Sequence, residues 1–242
     1  MKEFLIQLGS VFDFDVSHGA GRLPEEWMSP YPASVYKAAQ SGTAEHPLCK
    51  VIAEKLQACE ITHKTMVISN APTGAAVNIG AYLAGEPDCM LSFDAVAIKT
   101  SPVNFDLCLN LGAQIDPKEA AKGIANCFAA LQSLAITRPV TVTPYAQNFS
   151  QNKKETVKIT LSSITLTDTI DLAKLALIAD SRTLRQFFLN AYYADTRFKN
   201  CSRMLVDRTK RDAAIIVVDN GQPTTYEQAT AKIAQLIQLQ GD

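Results

Sequence analysis

The chain has no run of about 18 apolar residues, the length a membrane-spanning helix needs, so no membrane partner is read from it. It also has no Cys-x-x-Cys pair. Cys49, Cys59, Cys89, Cys108, Cys127 and Cys201 are scattered, several of them inside apolar patterns, and read as reduced, small core residues. An excess of one charge is missing too: 23 Lys and Arg stand against 24 Asp and Glu, a net charge of −1. That excludes a general attraction to nucleic acid or anionic membrane and leaves any such binding to a local patch. The first residues, MKEFLIQLGSVF, include Glu3 and Gln7 and show no small-residue cleavage site. They read as a strand of a cytoplasmic protein and not as a signal peptide.

What is present is a chain of 242 residues, 47% hydrophobic, long enough for one sizeable core. Residues 17–47 collect Gly19, Gly21, Pro24, Pro30, Pro32, Gly42 and Pro47 together with the single tryptophan, Trp27, and read as a loop-rich entry segment. Within and after it, helices are expected over residues 33–40 and 46–59, the second because Leu48, Val51, Ile52 and Leu56 recur at helical spacing. A loop over residues 70–74 follows the apolar MVIS. The expected organisation is a loop-rich N-terminal segment, residues 1–76, packed on an α/β core domain, residues 77–242.

From Cys89 the pattern sharpens. CMLSFDAVAI and VNFDLCLNLG alternate and are separated by the turn-like KTSP, so they read as a hairpin. Asp116-Pro117 then opens a strong helix, with Asp as N-cap and Pro at the first helical position, whose stripe is Ile124, Cys127, Phe128, Leu131 and Leu134. TVTPYAQ and ETVKITLSS read as strands joined by QNFSQNKK, DTIDLAKLALIAD and SRTLRQFFLNAYYAD as adjacent helices, AAIIVVD as a central strand, and TYEQATAKIAQLIQLQ as a closing amphipathic helix. The order β-β-α-β-β-α-α-β-α implies an α/β fold, a layered sheet with helices on its faces.

The stretch VNIGAYLAGEPDCM, residues 77–90, reads as a short helix with Ile79, Tyr82 and Leu83 on its apolar side, stopped by Gly85 and turned into the next strand by Pro87. It resembles the V-D/N-V/I-G-x-F/Y-L-x-G-x-P-E/D-C-M motif of a family of mainly bacteriophage-encoded proteins of unknown function, and a weaker likeness continues to about residue 193. That resemblance implies a viral setting and a shared fold, and no activity. The strand-helix-strand-strand order after Val103 is in turn similar to a von Willebrand A-type domain, which holds a metal ion on Asp-x-Ser-x-Ser after its first strand. The matching stretch here, Asn110-Leu111-Gly112-Ala113-Gln114, has no carboxylate or hydroxyl, so the likeness extends to the fold and not to the metal.

Three sets of residues carry chemistry. VFDFDVSHG, residues 11–19, resembles the opening of haloacid dehalogenase-like phosphotransferases, a hydrophobic strand followed by Asp-x-Asp. The likeness implies a nucleophilic Asp13 with Asp15 and magnesium, Ser69-Asn70 imitating the hydroxyl motif and Asp219 the late acidic one. Alternation gives a simpler reading: an edge strand with Phe12, Phe14 and Val16 on one face and Asp13 and Asp15 on the other. His46, Cys49, Cys59 and His63 are zinc-ligand types, but Cys49 and Cys59 would stand about 15 Å apart along one helix, too far for one ion. No cofactor is expected.

The third set is basic. Arg182, Arg185, Arg197, Lys199, Arg203, Arg208, Lys210 and Arg211 stand against Asp195 and Asp207, a local excess of six, with Tyr192, Tyr193 and Phe198 interleaved as in surfaces that hold phosphates and stack bases. The plainer alternative is a solvated connection between a helix and the AAIIVVD strand. The expectation is a non-enzymatic, bacteriophage-encoded binding protein of the infected host's cytoplasm. Nucleic acid or a protein of the infection machinery would contact Arg182, Arg185, Tyr193 and the six basic residues of 197–211. A magnesium-dependent phosphohydrolase and a virion or assembly component are the alternatives. A like subunit is a further candidate partner, because residues 1–60 carry a net charge of −3.

Overall fold

The computed structural model describes residues 2–13, 30–58, 67–72, 76–94, 102–112, 115–136, 138–149, 155–166, 171–194 and 213–240. In chain order its elements are β1 (Lys2–Gln7), a 3-10 turn (Val11–Asp13), α1 (Ala33–Gln40), α2 (Leu48–Ala58), β2 (Val67–Ala71), β3 (Ala76–Val77), α3 (Ile79–Leu83), β4 (Met90–Asp94) and β5 (Val103–Cys108). They continue with α4 (Pro117–Ala135), β6 (Val140–Phe149), β7 (Glu155–Thr160), β8 (Ile164–Thr165), α5 (Leu172–Ala179), α6 (Ser181–Ala194), β9 (Ile215–Ile216), β10 (Val218–Asp219), β11 (Gln222–Pro223) and α7 (Tyr226–Gln240).

The main sheet has the strand order β1-β7-β6-β5-β9, with β8 also paired to β6. β5 is parallel to both β6 and β9, β7 is antiparallel to β6, and β1 is parallel to β7. The strand-helix-strand-strand order expected after Val103 is therefore present as β5-α4-β6-β7. Pro144 explains a break on one side of β6. Its carbonyl accepts from Leu161 N–H at 2.9 Å on the β7–β8 side, where its own missing N–H would otherwise have donated. There Tyr145 faces Thr160 while Val142 faces Ile164, so β7 and β8 behave as one strand with an extra residue.

Alternation puts Val103, Phe105, Leu107, Val140, Val142, Ala146, Val157 and Ile159 on one face of this sheet, where they form a single cluster with side chains of α1, α2, α4, α5, α6 and α7. α4 is the central helix. Asp116 Oδ accepts from Lys118 N–H at 2.8 Å, Pro117 occupies the first turn, and the expected stripe is buried, Leu134 only in part. Ala120, Ala121, Gly123, Ala125, Ala129 and Ala130 are buried as well, so the helix is enclosed nearly all round by the sheet and by neighbouring helices. β1 lies in the main sheet, and Tyr36, Ala39, Leu48 and Ile52 of α1 and α2 lie in the same cluster.

Several expectations are corrected. β4 and β5 are not a hairpin: β4 pairs with β2 and β3 in a separate antiparallel sheet, and both edges of β5 are taken by β6 and β9. AAIIVVD is not a central strand. Only Ile215 and Ile216 pair with β5, at the end of the strand order, and the chain then turns through Asn220 (φ 50°) and Gly221 (φ 79°) into the β10–β11 hairpin. Ile215, Val217 and Val218 join the main cluster with α4 and α7, whereas Ala214 and Ile216 pack with Cys108 and Tyr145 in a second, small one. Val11–Asp13 is a 3-10 turn and not a strand. Val11 is buried and its carbonyl accepts from Tyr36 Oη at 3.4 Å and Gln40 Nε2 at 2.9 Å. Asn70 and Ala71 belong to β2 and not to a loop.

Candidate functional site

The basic set divides between α6 and the chain that follows it. α6 buries Leu184, Phe188, Leu189 and Tyr192 against the core, and this orientation takes Arg185 inside as well, at 4% exposure, with Arg182 half-buried. One of the eight expected basic contacts, Arg185, is therefore withdrawn from the surface, and Tyr192 is core. Tyr193 lies in α6. Arg197, Lys199, Arg203, Arg208, Lys210 and Arg211 lie outside the described residues. What the structure does fix is the span they occupy. Residues 195–214 connect the end of α6 to the start of β9, twenty residues where two to six are usual between a helix and a strand.

A cleft of about 730 Å³ begins where that connection ends. Ala214, Ile215 and Ile216 form one wall, and Asp219, Gln222, Gln228 and Lys232 are among the polar residues around it. The β10–β11 hairpin is held over α4 by Asn126 Nδ2, which donates to Thr224 O at 2.8 Å. α7 starts with a reciprocal cap: Thr225 N–H donates to Gln228 Oε1 at 3.0 Å and Gln228 N–H to Thr225 Oγ1 at 3.3 Å.

Parallel neighbours on both sides of β5 make its carboxyl end a point where connections diverge, the usual place for a ligand in an open α/β sheet. Here Asn110 fills it. Its Nδ2 donates to Val218 O at 3.2 Å and its Oδ1 accepts from Gly112 N–H at 3.2 Å, so the side chain ties the chain after β5 to β10. On the other face of the sheet Lys158 is paired with Asp106 and lies 4.5 Å above the Tyr145 ring.

A buried polar cluster at the α5–α6 corner was not anticipated. Asp180 is fully buried, accepts from Thr183 N–H at 3.3 Å and Thr183 Oγ1 at 2.6 Å, and lies 3.5 Å from His46 Nε2. His46 Nδ1 accepts from Leu48 N–H at 3.2 Å, and the Tyr31 ring packs edge-on at 4.9 Å. Burial, and then the Asp180 carboxylate, pushes the Tyr36 phenol well above its ordinary range, and Tyr31 is raised by burial, Asp180 and Asp116 in that order. The neighbouring Cys49 thiol faces Leu172 O at 3.7 Å and is also raised, chiefly by burial. Both imidazole nitrogens face groups of the protein itself, so His46 is not placed to activate Cys49, and the cluster ties the start of α2 to the α5–α6 corner. The only sequence signal was Asp180 between two helices.

The remaining candidates are dispersed. Asp13 lies in the 3-10 turn beyond β1, Ser69 in β2 of the small sheet and Asp219 in the β10–β11 hairpin, so these three are not gathered on one sheet; Asp15 is outside the described residues. Cys59 and His63 are outside them too. Among the described residues there is no group of three or more His, Cys, Asp or Glu placed to hold a metal ion, and no helix long and apolar enough to cross a membrane.

The family described as Domain of unknown function (DUF7192) matches residues 33–239, and the chain belongs to it. That description carries no activity. No curated protein and no solved structure matches the chain.

Proposed function

We propose that the chain is a non-enzymatic nucleic-acid-binding protein of a bacteriophage, acting in the host cytoplasm through the basic connection between α6 and β9. The observation that carries this reading is the length and charge of that connection together. Residues 195–214 hold six Lys and Arg against Asp195, Asp207 and Asp212, a net charge of +3 on a chain whose total is −1. Long connections in compact domains are usually either functional or linker segments, and the cleft that starts at Ala214 supplies an adjoining surface. The viral setting rests on the likeness of residues 77–90 to the phage motif. Phosphate ester hydrolysis gains no support, because Asp13, Ser69 and Asp219 stand on separate substructures.

Each Lys or Arg that neutralises a phosphate releases counterions, so binding to single-stranded or duplex DNA should fall with salt at a log-log slope of roughly −0.7 to −0.9 per contact. Replacing Arg208, Lys210 and Arg211 together by Gln should lower the magnitude of the slope by about two to three, with similar losses on unrelated sequences. Absence of binding to DNA or RNA at low salt would end the nucleic-acid reading and leave an acidic protein surface as the partner.

A further inference from the structure

Among the described residues six large apolar side chains are exposed: Leu5, Val77, Ile79, Tyr82, Leu83 and Leu239. Four of them fall within seven residues, at 47%, 70%, 64% and 78% exposure for Val77, Ile79, Tyr82 and Leu83. The helix expected here is present, but its apolar side faces outward, and Ala81 is the residue it buries. Ile79, Tyr82 and Leu83 share one face of a helical turn, so they form one patch and not scattered residues.

The tip is held in this orientation. Asn78 Oδ1 accepts from Ala81 N–H at 3.3 Å, Asn78 N–H donates to Cys89 O at 2.7 Å, and Val77 pairs with Met90 of β4. Gly85, with φ of 73°, ends the helix in a conformation that a side chain would disfavour. No residue of 77–90 enters the main hydrophobic cluster. The charges carried by residues 77–90 are of one sign: Glu86 and Asp88, both exposed, with no Lys or Arg.

We propose that this tip is a docking site for a basic amphipathic segment of a partner protein, whose apolar side chains cover Ile79, Tyr82 and Leu83 while its Lys or Arg residues meet Glu86 and Asp88. Charge decides the occupant. Two copies meeting symmetrically through this face would oppose their own carboxylates, and an anionic membrane would be repelled. The site is independent of the basic connection and of opposite character.

The test uses the full chain and three labelled helical peptides of about 16 residues, one of Leu and Lys, one of Leu and Glu, one of Ser and Lys, titrated by fluorescence anisotropy. The Leu/Lys peptide should bind, and the other two should bind at least about tenfold more weakly. Ile79→Ser with Leu83→Ser should weaken the Leu/Lys peptide about tenfold or more without changing the melting temperature, because both side chains are exposed. Glu86→Lys with Asp88→Lys should reverse the preference between the Lys and Glu peptides. The triple Gln variant at Arg208, Lys210 and Arg211 should leave peptide binding unchanged, which separates this site from the nucleic-acid reading. Binding insensitive to both tip variants, or no binding at all, would overturn the proposal. So would concentration-dependent self-association that the Ser variant abolishes, since it would assign the tip to a second copy of the chain.

Discussion

At the scale of single residues, Gly123 sets how closely α4 can approach the β9–β10 junction. A Cβ there would stand 2.2 Å from Val217 O, a backbone atom that cannot rotate aside. Gly123→Ala should therefore destabilise by about 1–3 kcal/mol through overpacking, against a helix-propensity gain of about 1 kcal/mol, and the midpoint of a denaturant titration reads the difference. An unchanged or higher midpoint would mean that the junction yields. Cys127, on the same helix, is wholly buried, and burial pushes its thiol up to about 12. The folded state thus favours the neutral thiol. The stabilisation is complete below the ordinary value of 9.0 and is lost as pH rises from there towards about 12, where the unfolded chain ionises first. Native protein at pH 8 should leave Cys127 unmodified by iodoacetamide while the half-buried Cys89 reacts, as peptide mass mapping would show. Asp180→Ala removes the cap of α6 and the carboxylate facing buried His46, and should cost more than Asp116→Ala, whose cap is exposed; about 1 kcal/mol is expected for the exposed cap. Equal melting temperatures for the two variants would deny Asp180 its second role.

At the scale of elements, α7 buries Ala229, Ile233 and Leu236 as a narrow stripe, so its start depends on the reciprocal Thr225–Gln228 cap. Thr225→Ala should cost about 1 kcal/mol, measurable by thermal melting with loss of helical circular dichroism; no change would mean that packing alone holds the first turn. Helices were the legible part of the sequence. Asp116-Pro117 announced α4, and Leu48, Val51, Ile52 and Leu56 announced α2, because caps and helical spacing are local signals. Strand partners were not legible: alternation assigns faces in β4 and β5 but does not say which edge meets which. AAIIVVD misled because a short apolar run is the same whether strands or helices cover it. Exposure was hidden for a similar reason. Spacing grouped Ile79, Tyr82 and Leu83 on one face without saying that the face is open, and counting charge included Arg185 without saying that it is inside.

At the scale of the whole molecule, β1 lies outside the residues matched by the family yet completes one side of the main sheet. Phe4, Ile6 and Val11 reach the common core from this first segment. A chain without residues 1–13 should melt at lower temperature and scatter more light on heating, because the β7 edge loses its partner; equal melting and scattering would show that β1 is dispensable. The charge distribution adds an ionic-strength dependence that the total of −1 conceals, since the acidic tip of α3 and the basic connection carry opposite signs. The pairing of β1 with β7 also has a consequence during synthesis. Lys2 faces Glu155, so β1 must wait for a strand encoded some 150 residues later. At about 5–20 residues per second the ribosome takes roughly 8–30 s to deliver it. For that interval β1 is a strand without its sheet, and its protection from misfolding in the cell is a matter of translation speed and chaperone access before it is one of native contacts.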